Sequence, residues 1–189
     1  MKLLDKKMVT ALESGKRFAL EDCVSRRIDP EVIASIAADF ADSFAGKEIT
    51  VVLTAEPSGI AIAYATAALF GAKALYARKR PEQNAYSAEV NSKNNTTLYL
   101  PKRYLSKEDR VLIVDDCIAR GGIASALIEL CAQAGAELVG VGVALEKAYL
   151  GAGEKLRARG IRLRSVVSLS ADDGALGMVI EKQGKRRTV

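Results

Sequence analysis

The chain has 189 residues, 49% hydrophobic and 27% charged, which suits a single folded α/β domain over 1–189 and excludes a disordered chain. The net charge of +5 invites a nucleic-acid reading, but the cations lie in scattered pairs and in the tail at Lys182, Lys185, Arg186 and Arg187, and the few aromatics are not interleaved with them as a stacking platform requires. With no histidine in the sequence, Ser-His and Cys-His nucleophile systems, His-ligated metals and a His base are excluded. Cys23, Cys117 and Cys131 lack CxxC spacing, which argues against a disulfide framework or zinc knuckle and fits a reducing cytoplasm. No apolar run has membrane-spanning length, and the first fifteen residues are too charged for a signal peptide.

In chain order, Leu3, Leu4, Met8, Val9 and Leu12 predict a short amphipathic helix, followed by a short strand or loop over 16–20 that contains Phe18. Asp29-Pro30 reads as an N-cap with proline at the first helical position, and Val32, Ile33, Ile36, Ala37, Phe40 and Phe44 form one stripe on a helix that ends at Gly46. A buried strand over 49–53 leads into the turn Thr54-Ala55-Glu56-Pro57-Ser58-Gly59 and a small-residue helix over 60–70. Taken alone this is an ordinary βα connection, though its small residues, hydroxyl and glycine can also hold an anion. A strand over 73–77 runs into Arg78-Lys79-Arg80. These cations stand at the carboxyl edge of the sheet, where ligands of open α/β sheets bind; the bland alternative is a solvated charge run. The polar segment 81–95 and a strand over 96–100 read as a mobile hairpin-like arm.

The central stretch is Arg110 to Cys131. Val111-Leu112-Ile113-Val114 predicts a strand buried on both faces, ending in Asp115 and Asp116. A turn through Cys117-Ile118-Ala119-Arg120-Gly121-Gly122 follows, then a helix stopped by Gly135. The glycines let backbone approach a ligand closely, and the helix start is an anion site. Carboxylates beside a phosphate cradle make chemical sense if the ligand is a sugar phosphate, whose hydroxyls the acids accept. Further strands are predicted over 138–145, which ends in Glu146-Lys147-Ala148-Tyr149, and over 161–169, with a short helix over 154–159 between them and a final edge strand over 176–180. Alternation of strands and helices points to a largely parallel sheet with helices on both faces.

On these residues the chain resembles the type I phosphoribosyltransferases. VLIVDDCIARGG is similar to their phosphoribosyl-pyrophosphate signature, and Glu56–Ser58, Arg78-Lys79, Asp115-Asp116 and Lys147 follow in the family's order. Within that superfamily the sequence is most similar to the bacterial xanthine branch, through Ile28-Asp29-Pro30, Ser58-Gly59-Ile60-Ala61, Ala77-Arg78-Lys79, the central motif and Glu146-Lys147 with its nearby aromatic. The resemblance implies the type I phosphoribosyltransferase fold with a small hood, to which about 1–28 would belong, and a flexible arm. It implies transfer of ribose 5-phosphate from phosphoribosyl pyrophosphate to a 6-oxopurine, xanthine favoured, with Mg²⁺ and a homodimer. By the same resemblance Asp115 and Asp116 would be catalytic. Ala119, Arg120, Gly121, Gly122 and Ile123 would bind the donor's 5′-phosphate, and Glu56, Ser58, Gly59, Arg78 and Lys79 its pyrophosphate. Lys147, Phe18 and Ser25 would face the base, and no protein ligand to metal is expected beyond Asp115 and Asp116. Arg120 and Ile123 stand where many members carry hydroxyls, and Ser25 where xanthine enzymes have Asn. Adenine transfer and a phosphoribosyl-pyrophosphate sensor are the alternatives on this scaffold.

Overall fold

Asp29 caps helix α1 (Pro30–Ser43) by accepting from the amides of Glu31 at 3.1 Å and Val32 at 3.3 Å, with Pro30 in the first turn as expected. The computed structural model describes residues 28–90, 96–172, 175–182 and 185–188, with side chains through 169. The helix expected over 3–12, the segment 16–20, Phe18, Cys23 and Ser25 lie outside the described residues.

The remaining elements are β1 (Val51–Ala55), α2 (Ile60–Phe70), β2 (Lys73–Ala77), β3 (Ala85–Val90), β4 (Thr96–Pro101), β5 (Arg110–Ile118), α3 (Gly122–Ala134), β6 (Glu137–Lys147), α4 (Ala152–Ala158), β7 (Leu163–Asp172), β8 (Ala175–Lys182) and β9 (Lys185–Thr188). The main sheet has the order β2-β1-β5-β6-β7-β8-β9, parallel from β2 to β7 and antiparallel at β8 and β9. The expected edge strand over 176–180 is therefore followed by one more. Among the described residues no helix is long and apolar enough to cross a membrane.

Side-chain alternation along the central strands divides the core. Val52, Leu112 and Val114 pack with α1 and α2 on one face, and Val51, Leu53, Val111 and Ile113 pack with α3, α4 and the hairpin on the other. The polar stretch 81–95 resolves, over its described part, into one strand of the β3–β4 hairpin, whose Ala88 and Val90 are buried against the α3 side of the core. The Gln133 amide on α3 fixes it further: Ser87 N–H donates to Gln133 Oε1 at 3.3 Å, and Gln133 Nε2 donates to Ser87 O at 2.8 Å. Paired backbone bonds of 2.9 and 2.8 Å between Arg78 and Tyr99 tie the hairpin to the end of β2.

The glycines of β6 are spaces for α1. A Cβ on Gly142 would meet the Phe40 ring at 3.0 Å, and one on Gly140 would lie 2.5 Å from Phe44 Cε1 and 2.9 Å from the carbonyl of Arg162. Gly140→Ala should therefore lower stability by about 1–3 kcal/mol through overpacking. Adding Phe44→Leu should return only part of this, since the carbonyl stays in place. Urea midpoints of the single and double variants check it.

Candidate active site

β1 pairs with β5 only from Val51–Val111 to Leu53–Ile113, yet β1 stays with β2 through Ala55 and β5 stays with β6 through Ile118. The sheet thus opens between β1 and β5 at its carboxyl end. The chain winds from β1 through α2 to β2 in one direction and from β5 through α3 to β6 in the other, which makes this opening the topological switch point. Asp115 and Asp116 stand there. They are not at the strand's tip as expected, for β5 continues to Ile118 on its pairing with β6.

Asp115 is 9% exposed and accepts from the amide of Asp116 at 2.9 Å. Burial pushes its carboxyl well above the ordinary value of 3.8, and the charge and side-chain hydrogen bond of Asp116 add to this, while the Asp116 amide and the Lys79 ammonium pull the other way. Gly59 begins α2 beside it. A Cβ there would lie 1.8 Å from Thr54 Oγ1 and 3.2 Å from Asp115 Oδ1, so only glycine lets the helix start so near the acid. The fully buried Thr54 hydroxyl has no hydrogen-bond partner among the described residues, and no side chain caps α2, whose Ile60 amide meets the Pro57 carbonyl at 3.4 Å while those that follow in the first turn are open to an anion.

Glu56 and half-buried Ser58 occupy the same turn. The Glu56 carboxylate accepts from Arg78 Nε at 3.3 Å and from the Lys79 amide at 3.1 Å. It is thereby a strut between the β1 and β2 ends, holding the two cations side by side. A carboxylate facing diphosphate directly would repel it.

On the other side of Asp115, a cavity of about 850 Å³ is lined by Asp115, Ile118, the whole 119–123 turn and Val90 of the hairpin. Gly121 takes φ +80° and starts α3 without a side-chain cap, again leaving helix amides open. Cys117 also lines this cavity; Cys131, whose thiol burial pushes up to about 12, belongs to the core. Lys147, half-buried, follows Glu146, which pairs with Ile118. A Cβ on Gly121 would lie 3.0 Å from that of Ala152, so the turn abuts the segment that follows Lys147. The structure thus brings Asp115 and the 119–123 turn into one cavity. It sets Glu56, Ser58, Gly59, Arg78 and Lys79 along the adjoining strand ends, with Lys147 on the opposite flank.

Two contributors escape a reading of residue types. Thr54 is the last polar residue of an apolar strand, and its role comes from Gly59 lying on it. Glu146 is 1% exposed and paired with Arg157 and Ser165, which only the order of β6, α4 and β7 brings together.

A sequence model of the phosphoribosyl transferase domain matches residues 28–158. Curated xanthine phosphoribosyltransferases of Bacillus cytotoxicus and Bacillus cereus are 36% and 35% identical over 189 residues, 95% of this chain and 96% of theirs. Among solved structures, the adenine phosphoribosyltransferase of Rhodothermus marinus is similar at TM-score 0.68 and 30% identity, covering 75% of this chain and 81% of its own. The Trypanosoma brucei adenine enzyme, in complex with AMP, pyrophosphate and ribose-5-phosphate, shares the fold at TM-score 0.66 and 22% identity, over 74% and 65% of the two chains.

The burial of Asp115 has a measurable cost. Its carboxyl holds a proton to higher pH in the folded than in the unfolded chain, so stability is lost as pH rises from about 4 toward the folded value. Asp115→Asn should match the parent in Tm below pH 4 and exceed it by about 2 °C or more near neutrality, while turnover falls at least about a hundredfold. Thermal unfolding from pH 4 to 8, beside steady-state rates, checks both halves.

Proposed function

The chain belongs to the phosphoribosyltransferase family, and from that premise we propose that it transfers ribose 5-phosphate from phosphoribosyl pyrophosphate to a 6-oxopurine, xanthine first, giving the nucleoside 5′-monophosphate and pyrophosphate. The observation that carries the reading is the meeting of Asp115, the glycine turn and the open start of α2 at the switch point of the sheet. The choice of base follows the xanthine phosphoribosyltransferases at 36% identity across nearly the full length.

In this reading the donor's 5′-phosphate lies on the amides of Ala119, Arg120, Gly121, Gly122 and Ile123 at the start of α3. This supplies by backbone what hydroxyl side chains supply where Arg120 and Ile123 stand in other members. The Ser58 and Gly59 amides, the start of α2 and the charges of Arg78 and Lys79 take the diphosphate, since the Glu56 amide is bonded to the Ala77 carbonyl and Pro57 has none. Asp115 and Asp116 accept the two ribose hydroxyls, and their charge favours the cationic sugar that develops as the diphosphate leaves. A Mg²⁺ ion, held mainly by oxygens of the donor with Asp115 and Asp116 within reach, would supply neutralisation of the leaving group. That fits a hard cation that keeps its waters and needs few protein ligands. The hairpin, with Val90 at the cavity, closes the side from which water would enter.

Lys147 supplies a donor-only ammonium at the acceptor side, matched to the O6 of an oxopurine and mismatched to the amino group of adenine. Phe18 and Ser25 complete the base pocket in the reading by family resemblance. Adenine is the second reading, supported by the likeness to the Rhodothermus enzyme at 30% identity. The free, buried thiol of Cys131 fits the cytoplasm, and the exposed apolar side chains Tyr64, Leu69 and Tyr76 on α2 and β2 support a homodimer.

Pyrophosphate release from the sugar donor and Mg²⁺ with xanthine, guanine, hypoxanthine and adenine in turn tests the assignment. Turnover with xanthine above the others is expected; turnover confined to adenine selects the second reading, and donor binding without turnover points to a sensor. In the active chain, Lys147→Ala should raise KM for the oxopurine about tenfold or more, the scale of a lost charge-assisted hydrogen bond, with KM for the donor within about twofold. Equal movement of the two constants would remove Lys147 from the base site.

A further inference from the structure

Glu146 touches neither the cavity nor the diphosphate turn, yet it is the most buried acid among the described residues. Its carboxylate receives a two-pronged bond from Arg157, Nη1 to Oε1 at 2.8 Å and Nη2 to Oε2 at 2.7 Å, and the Ser165 hydroxyl donates to Oε2. The three partners come from β6, α4 and β7. Glu146 is the last buried residue of β6, and between it and α4 lie Lys147, a 3-10 turn at Ala148–Leu150, and Gly151 at φ +73°. α4 itself has seven residues, too few to be stable by its own hydrogen bonds.

The geometry points to Glu146, Arg157 and Ser165 as a positioning cluster that clamps both ends of the 147–151 segment and so fixes the acceptor-side wall, Lys147 included. This rests on the reading that Lys147 faces the purine. Gly153 bears the mark of the device: a Cβ there would lie 1.7 Å from Glu146 Oε1 and 2.9 Å from Arg157 Nη1, so α4 carries glycine where the ion pair occupies the space of a side chain. Stability alone does not account for the arrangement, because the cost of burying the Glu146 carboxylate cancels much of what its bonds to Ser165 and the partly exposed Arg157 supply; what the cluster supplies is one defined geometry. Burial pushes the Glu146 carboxyl up, but the bonds from Arg157 and Ser165 and the Arg157 charge outweigh this and hold it below its usual range. The clamp therefore stays charged across the neutral range instead of acting as a pH switch.

Hydrogen–deuterium exchange of the full chain tests the clamp without any substrate. Gly153→Ala displaces the carboxylate while removing no partner. It should speed exchange over 148–155, where Gly151 N–H is bonded to Ala148 O and Lys155 N–H to Gly151 O, by about tenfold or more, with peptides over 56–59 unchanged. Ser165→Ala, a milder lesion that keeps the ion pair, should act in the same direction, and Arg157→Lys should fall between the parent and Arg157→Ala. In kinetics these variants should raise KM for the oxopurine several-fold and leave KM for the donor within about twofold. Unchanged exchange over 148–155, or an equal rise everywhere, would overturn the clamp; faster local exchange with an unmoved acceptor KM would overturn its link to the base. A parent chain that turns over no purine would sink the proposed function, while the exchange data still decide the clamp.

Discussion

The carboxyl of Asp115 is held out of water between Gly59 at the start of α2 and the amide of Asp116, and the other parts of the site are placed by that burial. Desolvating a carboxylate is costly, and a chain selected only for stability would place an apolar residue there. The ladder explains how the position arises. β1 leaves β5 after Leu53, so residues 114–118 keep strand geometry through β6 alone, and their β1-side edge is left for a ligand. The opening of the sheet and the placing of two acids within it are one structural event.

Each flank of the opening has its own brace. On the side of α2 Glu56 ties Arg78 and the Lys79 amide in a partly exposed pair, which water screens and which a polyanion can compete with. On the side of Lys147 the Glu146 carboxylate is buried and bonded to both Ser165 and Arg157, whose own side chain is 42% exposed, so it is the acid that is withheld from water. The difference suits the two substrates proposed above. In that reading, cations that take a diphosphate have to be releasable from their carboxylate, whereas a wall that tells purines apart by one hydrogen bond has to stay fixed.

Much of this architecture is legible in the residue order. Asp29-Pro30, the apolar stripe from Val32 to Phe44, the helix over 60–70 and Gly135 lie where capping and periodicity put them, because those signals are local. The four functional clusters are also legible as polar residues that follow apolar runs. What local pattern does not carry is pairing. Asp115 and Asp116 read as the strand's acidic tip, with a turn from Cys117, because acids are poor strand formers, and β6 alongside carries the strand on to Ile118. The 81–95 stretch reads as a polar excursion because just two of its described residues, Ala88 and Val90, are buried, and α3 supplies what they pack on. Glu146 adjoins Lys147 in the chain, yet in a strand adjacent side chains face opposite ways, and its carboxylate finds Arg157 eleven residues on.

Carboxylates in a site for a polyanion would be self-defeating if phosphate were all that is recognised. Under the proposed reading two neighbouring acids would disfavour free diphosphate, and the Lys79 charge counters this, acting at Asp115 against burial and the charge of Asp116. The repulsion becomes useful once the ligand is a pentose carrying both hydroxyls and a leaving diphosphate. Hydroxyls donate to the acids in the ground state, positive charge on the ring strengthens the attraction as the bond breaks, and the same negative field then disfavours retention of the separated diphosphate. Under the proposed reading the buried Asp115 and its half-buried neighbour Asp116 oppose the wrong anion and favour the transition state, which would offset the cost of burying Asp115.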